Sequence, residues 1–416
     1  MKKLIFILAA VSMTAVAVQA QWRYLGPGDL RVQALKSHDS ILYAGTSNGV
    51  YRFSADAGAW TPLGLEGRDV ISLHIFDADT MLAGFESGDQ SIYRTTNAGA
   101  SWEPFQNDYG GDEFHPAFEF AGVPGSKYEL FATGISVIAK SDDAGLHWRP
   151  VWLDWNWMAM GMYFVVFDPL DPSVVWAGGE AAIFAPWLLK SIDGGENWDM
   201  LDIYGGGDNR CHDIAIHPLS GDTAWVSMEG LVRKTIDGGM TWQTVLENNY
   251  YLYEIEADPL RPNTLYCSGA QGMLQLPMFI TYDGGVSWDT LYAPDLAYNG
   301  CLAMVLQAGD TVNTLFLGTH HGVYEFTDSP SECCQGRVGD ANSVGGDEPT
   351  VGDVNTIVEA LFLLVSPTPL TCLAEADVNQ SGGAHPVFTD ISIGDISVLI
   401  DYLFITGPSL GLPDCL

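Results

Sequence analysis

Basic residues are scarce in this chain. Its 416 residues hold 17 Lys and Arg against 52 Asp and Glu, a formal charge of −35. A surface so acidic repels polyphosphate and anionic lipid, which excludes nucleic acid and a charged membrane face as partners. Long apolar runs are equally absent beyond the first twenty residues, so no span of a bilayer is predicted. No C-x-x-C pair, H-E-x-x-H, phosphate loop or Ser/His/Asp signature occurs, and zinc, thioredoxin-type and nucleotide chemistry lose their support. What is abundant is glycine (46 residues) and aromatic side chains (12%), the mixture of many short strands and turns rather than of disorder.

Met1 to Ala20 has the layout of an export signal: Lys2 and Lys3, an apolar stretch from Leu4 to Val18, and small residues before the cut at Ala20. We expect a secreted protein, free or associated with a cell surface. Seven cysteines agree with export, and four of them (Cys333, Cys334, Cys372, Cys415) crowd the last eighty-odd residues, where disulfides would staple a small core. Their connectivity stays open.

From Gln21 to about Ser329 the sequence repeats. Trp22, Trp60, Trp102, Trp148, Trp198, Trp242 and Trp288 each open a short strand, 38 to 50 residues apart. Most follow one turn, clearest in Ser191-Ile192-Asp193-Gly194-Gly195-Glu196-Asn197-Trp198. Thr235–Trp242 and Thr281–Trp288 nearly copy it; Ser141–Trp148 and Thr95–Trp102 keep its frame, and Ser54–Trp60 is one residue short. The Asp oxygen can accept backbone N–H groups across such a turn, glycine supplies positive φ, and the Trp buries a large apolar surface. These turns resemble the Asp-box, or BNR, repeat of sialidase-type β-propellers. That resemblance implies a mainly β fold, a seven-bladed β-propeller of four-stranded blades over residues 21–329. The last repeat lacks a Trp strand and the first is preceded by an unmatched one. Trp22–Leu25 is therefore predicted to pair with Val323–Thr327 and close the ring.

Residues 332–416 form a separate module with twelve acidic residues and one basic residue, Arg337. Two oxygen-rich loops each lead into an apolar periodic segment: Ile357, Val358, Leu361 and Phe362 after the first, Leu399, Ile400, Leu403 and Phe404 after the second. Ca2+ takes six to eight oxygens from such loops. Asp377, Asn379, Ser381 and Asp395 match those roles in the second loop, and Asp340, Asn342 and Asp353 in the first. The pair resembles a type I dockerin, a small α-helical calcium-loop module, which implies calcium-dependent docking to a cohesin-type partner. Both loops are longer than the family's pattern, with Asp347 and Asp390 inside the extra residues. Metal-free helix caps are the competing reading, since Asp and Asn are favoured there in any case.

Chemistry is expected on the end of the ring where outer strands connect to the next inner strands. Those connections carry Trp152, Trp155, Trp157, Tyr250 and Tyr251, aromatic faces suited to a glycan or to an extracellular protein. Packing at blade ends is the alternative. An enzyme on this scaffold would be a glycoside hydrolase of sialidase or xyloglucanase type. It would need either an arginine clamp, for which Arg31, Arg68 and Arg210 are the candidates, or two facing carboxylates, for which Asp112, Asp154 and Glu254 are. Asp69 and Asp208 beside two of those arginines favour ordinary ion pairing. With no complete catalytic set legible, a non-catalytic binding or scaffold protein is the expectation.

Overall fold

The computed structural model describes residues 22–86, 90–105, 116–154, 159–181, 185–203, 210–270, 277–292, 300–309, 313–328, 338–339, 341, 349–363, 376–381, 391–406 and 412. They form a β-propeller of six antiparallel sheets, followed by two short helical segments. The innermost strands touch in sequence around the axis: Val32–His38, Ser72–Ile75, Glu119–Gly122, Ala159–Phe167, Cys211–Ile216, the second half of Gln243–Ala257, and Cys301–Gln307, which returns to Val32–His38.

Closure is as the unmatched tryptophan predicts. Trp22–Gly26 pairs antiparallel with Gly322–Asp328, placing Trp22 opposite Phe326 and Tyr24 opposite Tyr324. The Trp22 and Phe326 rings lie 4.8 Å apart, and Arg23 reaches Glu325 at 2.5 Å. The two ends of the ring are thus held by side chains as well as by backbone.

The count of seven separate four-stranded blades is corrected. Five sheets have four strands, but the fifth and sixth repeats share one sheet of six. Ala224–Thr235 runs on through Gly230 and pairs with Cys211–Ile216 and then with Gln243–Ala257. Gln243–Ala257 continues in turn to pair with Leu265–Ala270. The reason lies in Glu247-Asn248-Asn249-Tyr250-Tyr251, which carries no Gly or Pro to break an extended chain.

Five of the six repeated turns close in one way. In the fourth, Gly195 N–H donates to Ser191 Oγ at 2.9 Å and Asn197 N–H to Asp193 Oδ1 at 2.9 Å. The same two bonds recur at Thr95/Asn97, Ser141/Asp143, Thr235/Asp237 and Thr281/Asp283. The first, Ser54–Trp60, is one residue short and has instead a long bond from Ala57 N–H to Ser54 Oγ at 3.4 Å. Each turn seats its Trp between sheets; Trp198 meets Phe131 edge-on at 6.5 Å, and Trp242 meets Trp176 at 6.4 Å. These contacts belong to continuous apolar cores between neighbouring sheets, in which Trp176 and Trp225 are fully buried.

In the C-terminal segment, helices Val351–Val358 and Ile393–Ile400 each widen into a π-helical turn, Glu359–Leu363 and Asp401–Thr406. Ile357 and Leu399 sit in a small core with Val378 and Ala376. The widened turns rotate later residues outward, so Phe362 (59% exposed) and Phe404 (65%) leave the face that a regular helical period predicts. The four C-terminal cysteines and residues 1–21 lie outside the described residues. Cys211, Cys267 and Cys301 are free and buried.

Candidate functional site

The inner strands enclose an axial cavity of about 470 Å³, and above it, where those strands begin, a mouth of about 310 Å³. The mouth is built by a repeated irregularity. Five inner segments carry a bulge near their start, which skips Gln33, Tyr163, His212, Tyr253 or Leu302 in the pairing with the second strand. All five skipped residues line the mouth. A bulge gives one strand an extra residue and re-aims its side chain, here toward the axis. In two of the bulged sheets the facing strand must be glycine. A Cβ on Gly179 would lie 1.8 Å from Gly161 O, and one on Gly269 would lie 1.8 Å from Tyr251 O.

The turned-in aromatics form a continuous wall. Tyr163 lies parallel to His212 at 5.9 Å, His212 meets Tyr253 edge-on at 4.8 Å, and Tyr253 stacks on Tyr251 at 6.4 Å. Phe118 packs edge-on to Tyr163 at 5.8 Å and extends the wall the other way. Behind it, Arg210 Nε bridges Glu180 at 2.6 Å and Glu229 at 3.3 Å. Burial, and then bonding to Glu180, push the Tyr163 phenol well above its usual range, so it is neutral.

Acidic groups dominate the axis. Glu119 pairs with Lys36 at 2.7 Å. Asp213 accepts from Ile214 N–H at 2.8 Å and from Ile255 N–H at 3.0 Å, tying one inner strand to the next. Burial and the neighbouring Glu256 push the Asp213 carboxyl up; burial, Asp213, Glu256 and Glu119 do the same to Glu254. Burial raises Glu256 to about 7, with Lys36 pulling the other way. All three keep partial access to the cavity. Burial alone would lower Lys36, yet Glu119, Glu254 and Glu256 together hold its ammonium above the usual value. Burial drops His74 to about 4 and His212 to about 3, helped by Lys36 and Arg210 respectively, so both rings are neutral at neutral pH.

The sequence candidates divide. Glu254 and Tyr251 join the axial site. Trp152 packs on Trp187 at 6.2 Å and Tyr250 on Phe279 at 5.7 Å, so both serve the cores between sheets rather than a free surface. Asp154 donates its backbone N–H to Ser136 O at 3.0 Å at the end of an outer strand. Trp155, Trp157 and Asp112 lie outside the described residues. The arginines do not converge as a clamp: Arg31 pairs with Asp69, Arg68 lies over Tyr93 at 4.5 Å, and Arg210 holds Glu180 and Glu229. Sequence reasoning missed Tyr163, His212, Glu119, Asp213 and Glu256. The available signal was a glycine near the end of most second strands, opposite the bulge.

In the C-terminal segment, Asp377, Asn379, Ser381 and Asp395 do come together. Asp377 Oδ1 and Asn379 Oδ1 accept from Ser381 N–H at 3.0 and 2.9 Å, and Asp395 Oδ1 accepts from Asn379 N–H at 3.0 Å. Asp395 also closes a capping box with Ser392, and Asp353 Oδ2 accepts from Thr350 N–H at 2.6 Å. Asp353, Asp377 and Asp395 are buried. As arranged, Asp353 and Asp395 bond at helix starts and Asp377 closes the loop turn, and no group of three metal-type ligands is assembled among the described residues. Asp340 and Asn342 lie outside them.

No protein-family model and no curated protein matches the chain. Solved structures do, and they are β-propellers. The GH74 xyloglucanase of Xanthomonas campestris aligns with 20% identity and a TM-score of 0.57, over 73% of this chain and 53% of that one. YCF48 bound to D1 peptide aligns at 13% and 0.51, over 74% and 96%. The extracellular domain of BT4673 from B. thetaiotaomicron aligns at 11% and 0.55, over 79% and 42%. This chain spans about half the length of the xyloglucanase. Likeness at these identities shows the fold. Among the described residues no helix is long and apolar enough to cross a membrane.

Proposed function

We propose that this is a secreted binding protein whose propeller takes a glycan at the axial mouth without cleaving it. The observation that carries the reading is the aromatic wall Phe118–Tyr163–His212–Tyr253–Tyr251 beside Glu86, Glu119 and Glu254. Sugar rings offer C–H faces to such a wall and hydroxyl edges to the carboxylates. The xyloglucanase neighbours agree with a carbohydrate ligand, and the peptide bound to YCF48 makes an extracellular protein the other partner to test. Titration calorimetry with saccharide panels, on the wild type and on Tyr163→Ala and Tyr253→Ala, is the experiment. Loss of binding in both variants supports the reading; binding unchanged in both defeats it.

One observation favours glycoside hydrolysis as a second reading. Glu254, Asp213 and Glu256 hold their protons to unusually high pH, as a general acid must. Reducing-sugar release that Glu254→Gln abolishes would establish it.

For the C-terminal segment we propose a dockerin-like module in which Asp377, Asn379, Ser381 and Asp395 hold Ca2+, with Asp340, Asn342 and Asp353 as a weaker second set, for docking to a cohesin-type partner. Buried Asp377 and Asp395, which accept from Ser381 N–H and Asn379 N–H respectively, support it. Calcium would cross-link the loop residues Asp377, Asn379 and Ser381 to Asp395, which now closes the cap of the helix that follows.

A further inference from the structure

We propose that the mouth takes a neutral glycan by its chain end, which passes end-on into the axial cavity below, and does not bind an internal stretch of the chain. The inference rests on the glycan-binding reading and adds which part of the glycan is recognised. The shape of the rim carries it. Gln33, Glu119, Tyr163, His212, Tyr253 and Leu302 come from six of the seven inner strands, and Ile71 directly precedes the seventh. Each of those strands touches the next around the axis, so among the described residues the rim closes on all sides. An open groove lets a polymer enter at one end and leave at the other. A closed ring over a cavity admits a chain that ends inside it.

The passage does not stop at the rim. Glu119, Tyr163, His212 and Glu254 line both the mouth of about 310 Å³ and the cavity of about 470 Å³, so the one opens into the other. Both volumes lie in the range of small-molecule sites, which suits the last residues of a chain rather than its length. The groups on the way down suit hydroxyls, which donate and accept at once. The Tyr163 and Tyr253 phenols, the Gln33 amide and the neutral His212 ring do both as well. Gln33 Oε1 and His212 Nε2 have no hydrogen-bond partner among the described residues. Ser37 and Glu256 line the cavity and not the mouth, and burial keeps Glu256 largely protonated below about pH 7. A terminal sugar residue brings one free hydroxyl more than an internal one, in which that oxygen is tied up in the next linkage. The deeper groups are placed to meet it.

The test is calorimetric titration of the full chain with maltohexaose beside its ring-closed form, cyclomaltohexaose, and with cellohexaose beside a soluble β-glucan polymer at equal mass. The ring has the same residues and no end, and the polymer has few ends for its mass. We expect a linear hexamer to bind about tenfold or more tighter than its counterpart. A second arm fills the cavity from below the mouth. Ser37 is exposed, and its hydroxyl accepts from the exposed Gln307 Nε2 at 3.1 Å, so a larger side chain there displaces no core. Ser37→Trp should weaken the hexamer by about tenfold with the melting temperature kept. Counterparts that bind as tightly as the hexamers, or a folded Ser37→Trp protein that binds as the wild type does, overturn the end-on inference and leave glycan binding at the mouth standing. Binding of no saccharide overturns both.

Discussion

Tyr163 and His212, from neighbouring inner strands, lie parallel at 5.9 Å, and each is the extra residue of its own bulge. In a regular strand each side chain would point to one face of its own sheet, toward a neighbouring sheet, and the bulge re-aims it toward the axis. The mouth therefore depends on an error of register repeated around the ring.

Ring closure should be worth much of the propeller's stability. Trp22→Ala removes the 4.8 Å contact with Phe326, and large-to-small changes of aromatic residues in cores cost about 3–5 kcal/mol. Trp22 is partly exposed, so about 2–3 kcal/mol is expected, read as a lower melting temperature. Deleting residues 21–26 should cost more, because the pairing with Gly322–Asp328 goes as well. An unchanged melting temperature in the deletion would show that the ring is shut by other means.

Two adjacent glycines give a sharper test of the turns. Gly194 and Gly195 both have positive φ (73° and 82°), yet a Cβ on Gly194 meets nothing, and one on Gly195 lies 2.5 Å from the Phe131 ring. Gly194→Ala should cost about 1–2 kcal/mol from backbone strain alone. Gly195→Ala should cost clearly more, about 3 kcal/mol or above, as Phe131 is displaced. Equal losses in chemical denaturation would contradict the packing role assigned to this position.

The buried acids set a pH dependence. Glu256 has a folded value of about 7 against 4.5 for the free side chain. Between those values the folded protein binds more protons than the unfolded chain, so stability falls as pH rises from about 4.5 to 7 and then levels off. Glu256→Gln cannot ionise, and at pH 8 it should gain roughly 1–3 kcal/mol over the wild type, with no gain at pH 4.5. Melting curves of both proteins across this range check the sign.

Much of the architecture is legible in the sequence, because the repeating turn is local chemistry. Asp193, Ser191 and Gly195 bond to one another within five residues, and the missing Trp strand announces closure by Trp22. The merged fifth and sixth repeats escape that logic. Whether Gln243–Ala257 bends between two sheets or runs on is settled by pairing with strands on both sides, and no turn residue marks it. The site is still less legible. Tyr163, His212 and Tyr253 come from three strands and meet only through bulges, whose signal for Tyr163 and Tyr253 is a glycine on the facing strand, while His212 faces Ser227 and Met228 and has none. Trp152 and Tyr250 show why: an aromatic at a blade end packs as readily as it binds.

Calcium should stabilise the C-terminal segment if Asp377 and Asp395 are ligands. In the full chain, added Ca2+ should raise the unfolding midpoint of that segment, by an amount that grows with the logarithm of its concentration. Asp395→Asn should abolish the shift. A segment indifferent to Ca2+ would leave its carboxylates as helix caps only.

The most direct test of the central claim is calorimetric titration of glycans into the wild type beside Tyr163→Ala and Tyr253→Ala, with product release followed in the same samples. The account predicts saturable binding in the wild type, a loss of about tenfold or more in each variant, and no cleavage. Binding that survives both substitutions, or cleavage that Glu254→Gln abolishes, would contradict it.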